Sequence, residues 1–311
     1  MKRNIKKFLF PAVAVAVLSF AACSDWTETE SLDINYPTLE EQNPELYKQY
    51  LKALRDYKAG EHKVVLVSMD NTTSAPAQRN EHLTTMPDSV DIICLMNPDN
   101  LHPTLAGEFA KVREKGTRVI YNIDYNAIEK LWEKVLADEE ANKPEEPTNP
   151  STPEATQDEG GEGGGEGEPT PEEELELRFL EFCRQQTVSQ LNLCAKYGYD
   201  GVQVNYTGRA PQAMQEEEKA QYAARQEAFF SNVKTWNEAN SGKVLVFQGN
   251  PQNLIDKSVL GECDYIVIPA LTATSADKMS FAVLMAAVED VPTDRFVIGV
   301  TTPSLTDLSD E

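Results

Sequence analysis

The sequence predicts an α/β fold built on a largely parallel sheet, and three observations carry that expectation. Seven short runs rich in β-branched and apolar residues recur along the chain. Helical segments lie between most of them, and such alternation belongs to a barrel or a doubly wound sheet. The composition, 41% hydrophobic and 25% charged over 311 residues, suffices for a substantial core. A wholly disordered chain, a collagen-like fibre and a multi-pass membrane protein are thereby excluded.

Residues 1–22, MKRNIKKFLFPAVAVAVLSFAA, come before the fold. Lys2, Arg3, Lys6 and Lys7 form a basic start. The apolar run from Phe8 to Ala22 is shorter than the ~20 residues of a comfortable membrane span. Small residues close it, as in a signal peptide. Phe20-Ala21-Ala22-Cys23 resembles a bacterial lipobox, which implies Cys23 as the lipidated first residue of the mature chain. Several acyl chains anchor stably where one binds only marginally. A plain secretory signal with an incidental cysteine is the alternative, and both readings place the protein outside the cytoplasm. Residues 23–37 form an acidic tether. Its start, Ser24 to Glu30 (SDWTETE), resembles the surface-export signal of Bacteroidetes lipoproteins, which implies an outer-membrane protein facing the exterior.

Thr38 to Tyr57 has helical spacing, with Leu46, Tyr50, Leu51 and Leu54 on one stripe, and Gly60 ends it. The strands are then expected at Lys63–Met69, Val90–Met96, Arg118–Asp124, Gly201–Tyr206, Lys243–Gln248, Tyr265–Pro269 and Phe296–Val300. Their continuous apolar character suits a parallel sheet covered on both faces. Helices are expected at 103–115, 173–197, 216–239 and 276–289.

The formal charge is −23, unevenly spread: residues 138–176 hold fifteen acids and one base, leaving −9 for the rest. An acidic protein of this kind repels nucleic acid and anionic lipid, so neither is an expected partner. The tract at 138–172 is rich in Pro, Gly and Glu. It cannot bury enough surface to offset its ordering entropy and reads as a disordered insertion within a domain spanning 38–311. It lacks the ligand spacing of a calcium loop. Cys94, Cys183, Cys194 and Cys263 show no zinc-type spacing, so no metal is expected, and buried free thiols are the expected state. Cys183 and Cys194 share a helix face, but three turns separate their Cα atoms by ~16 Å, too far for a disulfide.

The fourth strand reads Asp200-Gly201-Val202-Gln203-Val204-Asn205-Tyr206-Thr207, after Tyr197-Gly198-Tyr199. Strand alternation puts Gln203, Asn205 and Thr207 on one face and Val202, Val204 and Tyr206 on the other. The phrase resembles the D-G-x-D-x-D-x-E signature of glycoside hydrolase family 18, the chitinases and endo-β-N-acetylglucosaminidases. Asp200 and Gly201 match it. Gln203 stands where the first inner Asp belongs, Asn205 replaces the Asp that supports the substrate's N-acetyl group, and Thr207 replaces the general acid. The third strand, ending Asn122-Ile123-Asp124-Tyr125, is a looser match.

The resemblance spans about 63–302 and implies a TIM-type (β/α)8 barrel. Only seven strands are visible before Glu311, so the eighth is missing from this reading. It also implies a site at the carboxyl ends of the strands. Glycoside hydrolysis needs a carboxylic acid to protonate the leaving oxygen. Thr cannot serve near neutral pH, and Gln and Asn do not ionise. Amides and hydroxyls still hydrogen-bond sugars well. The expectation is a glycan-binding surface lipoprotein with no catalytic residue in the motif and no cofactor. Its ligand, implied by the resemblance, is a GlcNAc-containing glycan such as an N-glycan or chitin fragment, taken up beside a SusC/SusD-type complex. Its binding residues would be Gln203, Asn205, Thr207, Asn122, Asp124 and Gln248. Asn97 and Asn250 also stand near strand ends. An active endo-β-N-acetylglucosaminidase using Asp70, Asp124 or Asp200, and a non-binding scaffold, are the rival readings. The sixth strand, Ile268-Pro269-Ala270-Leu271, lacks the aromatic and Asp side chains the family presents there, the strand-eight Trp that floors its sugar subsite has no counterpart, and Trp236 reads as helix core.

Overall fold

The computed structural model describes residues 37–71, 75–143 and 169–301. The signal segment 1–22, Cys23 and all of the tether but Pro37 lie outside these, as does the acidic tract from 144 to 168. The described residues divide into two units, one up to Tyr50 and one from Leu51 onward. The first contains the short helix α1 (Leu39–Gln42), opened by a capping box between Thr38 and Glu41. Helix α2 follows at Pro44–Ala59. The single helix expected from Thr38 is thus two. Asn43 precedes a proline, which disfavours helical backbone there. Its side chain instead accepts from the Leu46 amide at 3.1 Å, beginning a new helix with proline in the first turn. Of the expected stripe, Leu51 is buried, whereas Leu46 and Tyr50 are exposed.

The second unit is a seven-stranded, all-parallel sheet in chain order. The strands are β1 (Leu66–Met69), β2 (Ile92–Leu95), β3 (Arg118–Asp124), β4 (Gly201–Tyr206), β5 (Val244–Gly249), β6 (Tyr265–Pro269) and β7 (Phe296–Gly299). The helices between them are α3 (Pro103–Glu114), α4 (Tyr125–Ala141), α5 (Pro171–Tyr197), α6 (Glu216–Ala239), α7 (Ser258–Glu262) and α8 (Ala276–Ala286). This is a curled half-barrel, a TIM-like barrel short of one strand among the described residues.

Helix α4 is additional to the expected set. No turn residue separates it from β3: Asp124 ends the strand and its carboxylate caps the helix, accepting from the Asn126 amide at 3.0 Å. Helices α4 and α5 also reach into both ends of the acidic tract, so residues 138–141 and 171–172 are helical rather than disordered. Glu139 pairs there with Arg178 at 2.6 Å, and Arg178 lies 5.3 Å over the Trp132 ring. Glu139 thus ties α4 to α5, which its composition alone conceals.

The two sheet faces bury different cores. Tyr121, Val202, Val204, Tyr206, Leu245, Phe247 and Ile266 face the helices and pack with Phe109, Phe179, Phe229 and Phe230. The concave face carries Ile92, Cys94, Ile120, Val244, Val246 and Val267. Trp236 packs against the helix-facing core, as expected. Cys94, Cys183, Cys194 and Cys263 are buried free thiols. Two glycines let β4 and β5 approach closely. A Cβ at Gly201 would stand 2.1 Å from the Val244 carbonyl oxygen. One at Gly249, where φ is +133°, would stand 1.9 Å from that of Tyr206.

A repeated device fixes the amino-terminal rim. An aspartate precedes each of β2, β4 and β6: Asp91, Asp200 and Asp264. Each carboxylate accepts a backbone N–H at the start of the preceding strand, from Val65 just before β1 at 2.8 Å, and from the second residues of β3 and β5, Val119 and Leu245, both at 2.9 Å. The aspartate amide returns a bond to the same residue's carbonyl. Strand starts are thereby locked in pairs.

Candidate functional site

The polar face of β4 lies on the concave side, at the carboxyl-terminal rim, and parallel register arranges its neighbours in levels. Asn122, Gln203 and Val246 share one level, and Asp124, Asn205 and Gln248 share the next. Five of the six expected binding residues therefore occupy two adjacent levels across three strands. Thr207 follows just past the strand, and its side chain is exposed.

The lower level is buried. Gln203 is fully buried, and its Nε2 donates to Asn122 Oδ1 at 3.1 Å. Gln203 Oε1 has no hydrogen-bond partner among the described residues. An unpaired buried amide oxygen costs free energy, on the order of 1–3 kcal/mol. The upper level is half-buried and open to a ligand. Burial pushes the Asp124 carboxyl above its ordinary value, although the cap to α4 and Lys130 oppose the shift.

The loop after β4 is held from beneath. Asn250 and Asn253 donate to the Thr207 carbonyl at 3.1 and 2.9 Å, and Asn253 also reaches Gly208. Buried Gln226 of α6 donates to Tyr206 Oη and the Asn253 carbonyl, both at 3.0 Å, and accepts from the Ile255 amide at 2.9 Å. At the ends of β1 and β2, buried Asn71 exchanges two bonds of 2.8 Å with the backbone of Asn97. Asn97 Nδ2 donates to Asp70 at 3.0 Å. Asn71, Gln226 and Asn253 were not singled out by hydropathy. Their signal is only that amides stand just after strands or on a buried helix face. Asn97 and Asn250 serve these networks.

Two cavities flank the β4 row. One, of about 620 Å³, lies on the concave side near β1, β6 and β7 and includes Ser68, Asp70, Met96, Gln248 and Thr301. The other, of about 300 Å³, includes Asn122 and Asp124 with the loop after β2 and helices α4 and α5. Gln248 and the pair Asn122–Asp124 thus border separate hollows, with Asn205 between them in register.

Asp200 stands at the opposite rim. Arg113 pairs with it at 2.9 Å, and the Val119 amide bonds its second oxygen. That is a structural assignment, as its place before the strand suggests, and it takes Asp200 out of any candidate acid set. What remains at the carboxyl-terminal rim is a neutral amide and hydroxyl row, with Asp124 beside it and Asp70 after β1. That row can donate to and accept from hydroxyls and amides, but its members cannot deliver a proton near neutral pH.

The family model described as glycoside hydrolase family 18, BT1044-like, matches residues 27–158 and 172–299. No curated protein matches the chain. A solved structure of a selenomethionine BT1044 variant with a Glu-to-Gln substitution is similar in fold. It has a TM-score of 0.52 and 16% identity, and the match covers 85% of this chain and 74% of that one. A family 18 chitinase from Pseudoalteromonas aurantia matches with a TM-score of 0.44 and 9% identity, over 76% of this chain and 79% of that one. The glycoside hydrolase domain of PelA from Pseudomonas aeruginosa gives 0.32 and 14%, over 67% of each chain. With the half-barrel and the placement of the β4 motif, the family match is decisive: the chain belongs to glycoside hydrolase family 18, in its BT1044-like group.

Proposed function

We propose that the protein binds a GlcNAc-containing glycan, an N-glycan or chitin-like chain, at the carboxyl-terminal rim without cleaving it. The observation that carries the reading is the β4 row, where Gln203, Asn205 and Thr207 stand in place of the three acidic positions of the family signature. Loss of a general acid alone costs ~10²–10⁴-fold in rate. Asn205, half-buried between Asp124 and Gln248, retains a donor and an acceptor for an acetamide or a hydroxyl. The lipobox at Cys23 and the acidic residues behind it support a lipid-anchored protein on the outer face of the outer membrane, handing glycan to a SusC/SusD-type complex.

Calorimetric titration of the intact chain with chitotetraose and with a released N-glycan tests this. A saturating isotherm with intact sugar recovered supports binding without turnover. Sustained heat with shortened sugar refutes the non-catalytic reading, and no heat with either ligand refutes binding.

One observation favours a second reading. Asp124 lies level with Asn205, and burial raises its carboxyl toward the range of a general acid. An active endo-β-N-acetylglucosaminidase would use it. Turnover by the wild type that vanishes in Asp124→Asn would establish that role.

A further inference from the structure

We propose that the cavity of about 300 Å³ at the carboxyl ends of β2 and β3 is a subsite for one uncharged sugar branch of the glycan, and that it discriminates against acidic sugars. The inference rests on glycan binding at the rim and adds the charge class of the ligand. The volume lies at the lower end of the ligand-pocket range, about 300–1,000 Å³, which suits a single ring rather than a chain.

The lining matches a neutral sugar in three respects. Met96, Ile128 and Leu131 give an apolar wall for the C–H face of a ring. Amides stand around it. Gln190 donates to Asp99 at 3.2 Å, and half-buried Gln186 makes no side-chain hydrogen bond among the described residues. Its donors and acceptor are free for vicinal hydroxyls. The only charged groups of the lining are Asp99 and Asp124, with no basic side chain among the described residues. Lys130 acts on Asp124 electrostatically from outside the lining. A sialic or uronic acid carboxylate placed here would meet two like charges and no partner. Asn122 belongs both to this lining and to the pair with Gln203, so the hollow continues the β4 row.

The test compares a galactose-ended N-glycan with the same glycan capped by sialic acid, titrated into the intact chain. The neutral glycan is expected to bind at least fivefold more tightly. Gln186→Ala with Gln190→Ala is expected to weaken the neutral glycan at least tenfold. Asp99→Asn is expected to shrink the preference, because it removes charge and leaves the cap of α4 untouched. Equal binding of the two glycans, with both variants at wild-type affinity while Asn205→Ala loses affinity, overturns the subsite and leaves rim binding standing. No binding of either glycan by the wild type overturns both.

Discussion

The two rims of the sheet show opposite uses of polar side chains. At the amino-terminal rim, Asp91, Asp200 and Asp264 each close a strand start, and Asp91 and Asp200 also face His62 and Arg113, both at 2.9 Å. Those carboxylates hold the barrel. At the carboxyl-terminal rim, the positions that face the concave side carry Gln203, Asn205 and Gln248, with Asp124 spent partly on a helix cap. The general division of such barrels, stability below and chemistry above, is kept in geometry. Carboxylates fix the strand starts below, while the β4 row above carries amides and a hydroxyl, with Asp124 beside it.

Restoring the upper rim makes the largest expected change. The combined variant Gln203→Asp, Asn205→Asp, Thr207→Glu should gain hydrolysis of chitotetraose by ~10²–10⁴-fold over the wild type, measured as release of reducing ends. A variant that folds and binds but releases nothing would show that the rim lacks more than its carboxylates. The strand-six run Ile268-Pro269-Ala270-Leu271, which carries no aromatic side chain, is the first place to look. The lower rim should respond in stability instead. Asp200→Ala takes the carboxylate from Arg113, which keeps its bond to the Gly198 carbonyl, and frees the Val119 amide, bonds to a charged group worth about 2 kcal/mol together in this half-exposed setting. A fall in Tm of roughly 4–8 °C is expected, with glycan affinity unchanged. Asn205→Ala should do the reverse. It should lose glycan affinity about tenfold by calorimetry while changing stability by less than ~0.5 kcal/mol, because the side chain is half-exposed and makes no side-chain hydrogen bond among the described residues. A large Tm loss in Asn205→Ala would erase the distinction between the rims.

Sequence periodicity reached the strands better than the connections. β3, β4 and β6 begin and end where their apolar runs do, because fully buried parallel strands leave continuous hydrophobic stretches. Helix α4 escaped because strand and helix abut at Asp124 without Gly or Pro. The faces of β4 were legible from alternation alone, and Gln203 and Thr207 are indeed buried and exposed extremes of one row. The pairing of Gln203 with Asn122 was not, since it depends on register between strands 81 positions apart. Of the lower-rim aspartates only Asp200 was placed before a strand, whereas Asp91 fell inside the expected run Val90–Met96 and Asp264 was not singled out. Only the fold shows that each reaches back to the strand before it.

The smallest expected effect concerns pH at the lower rim. His62 Nδ1 meets the Gly60 carbonyl and Nε2 meets Asp91, both at 2.9 Å. These bonds, the backbone one foremost, raise its pKa above the ordinary 6.5. A folded pKa above the unfolded one means that the native state holds the proton more tightly. The stabilisation is therefore complete below about pH 6.5, declines as pH rises through the folded value, and is absent above it. Thermal midpoints of wild type and His62→Gln, compared between pH 5.5 and 8.5, should differ most at the acid end and converge at the alkaline end. The difference between the curves isolates this histidine from the other titrating groups. A gap that stays constant with pH would mean that His62 acts there as a neutral packing and hydrogen-bonding group, and that the lower rim needs no counter-charge at Asp91.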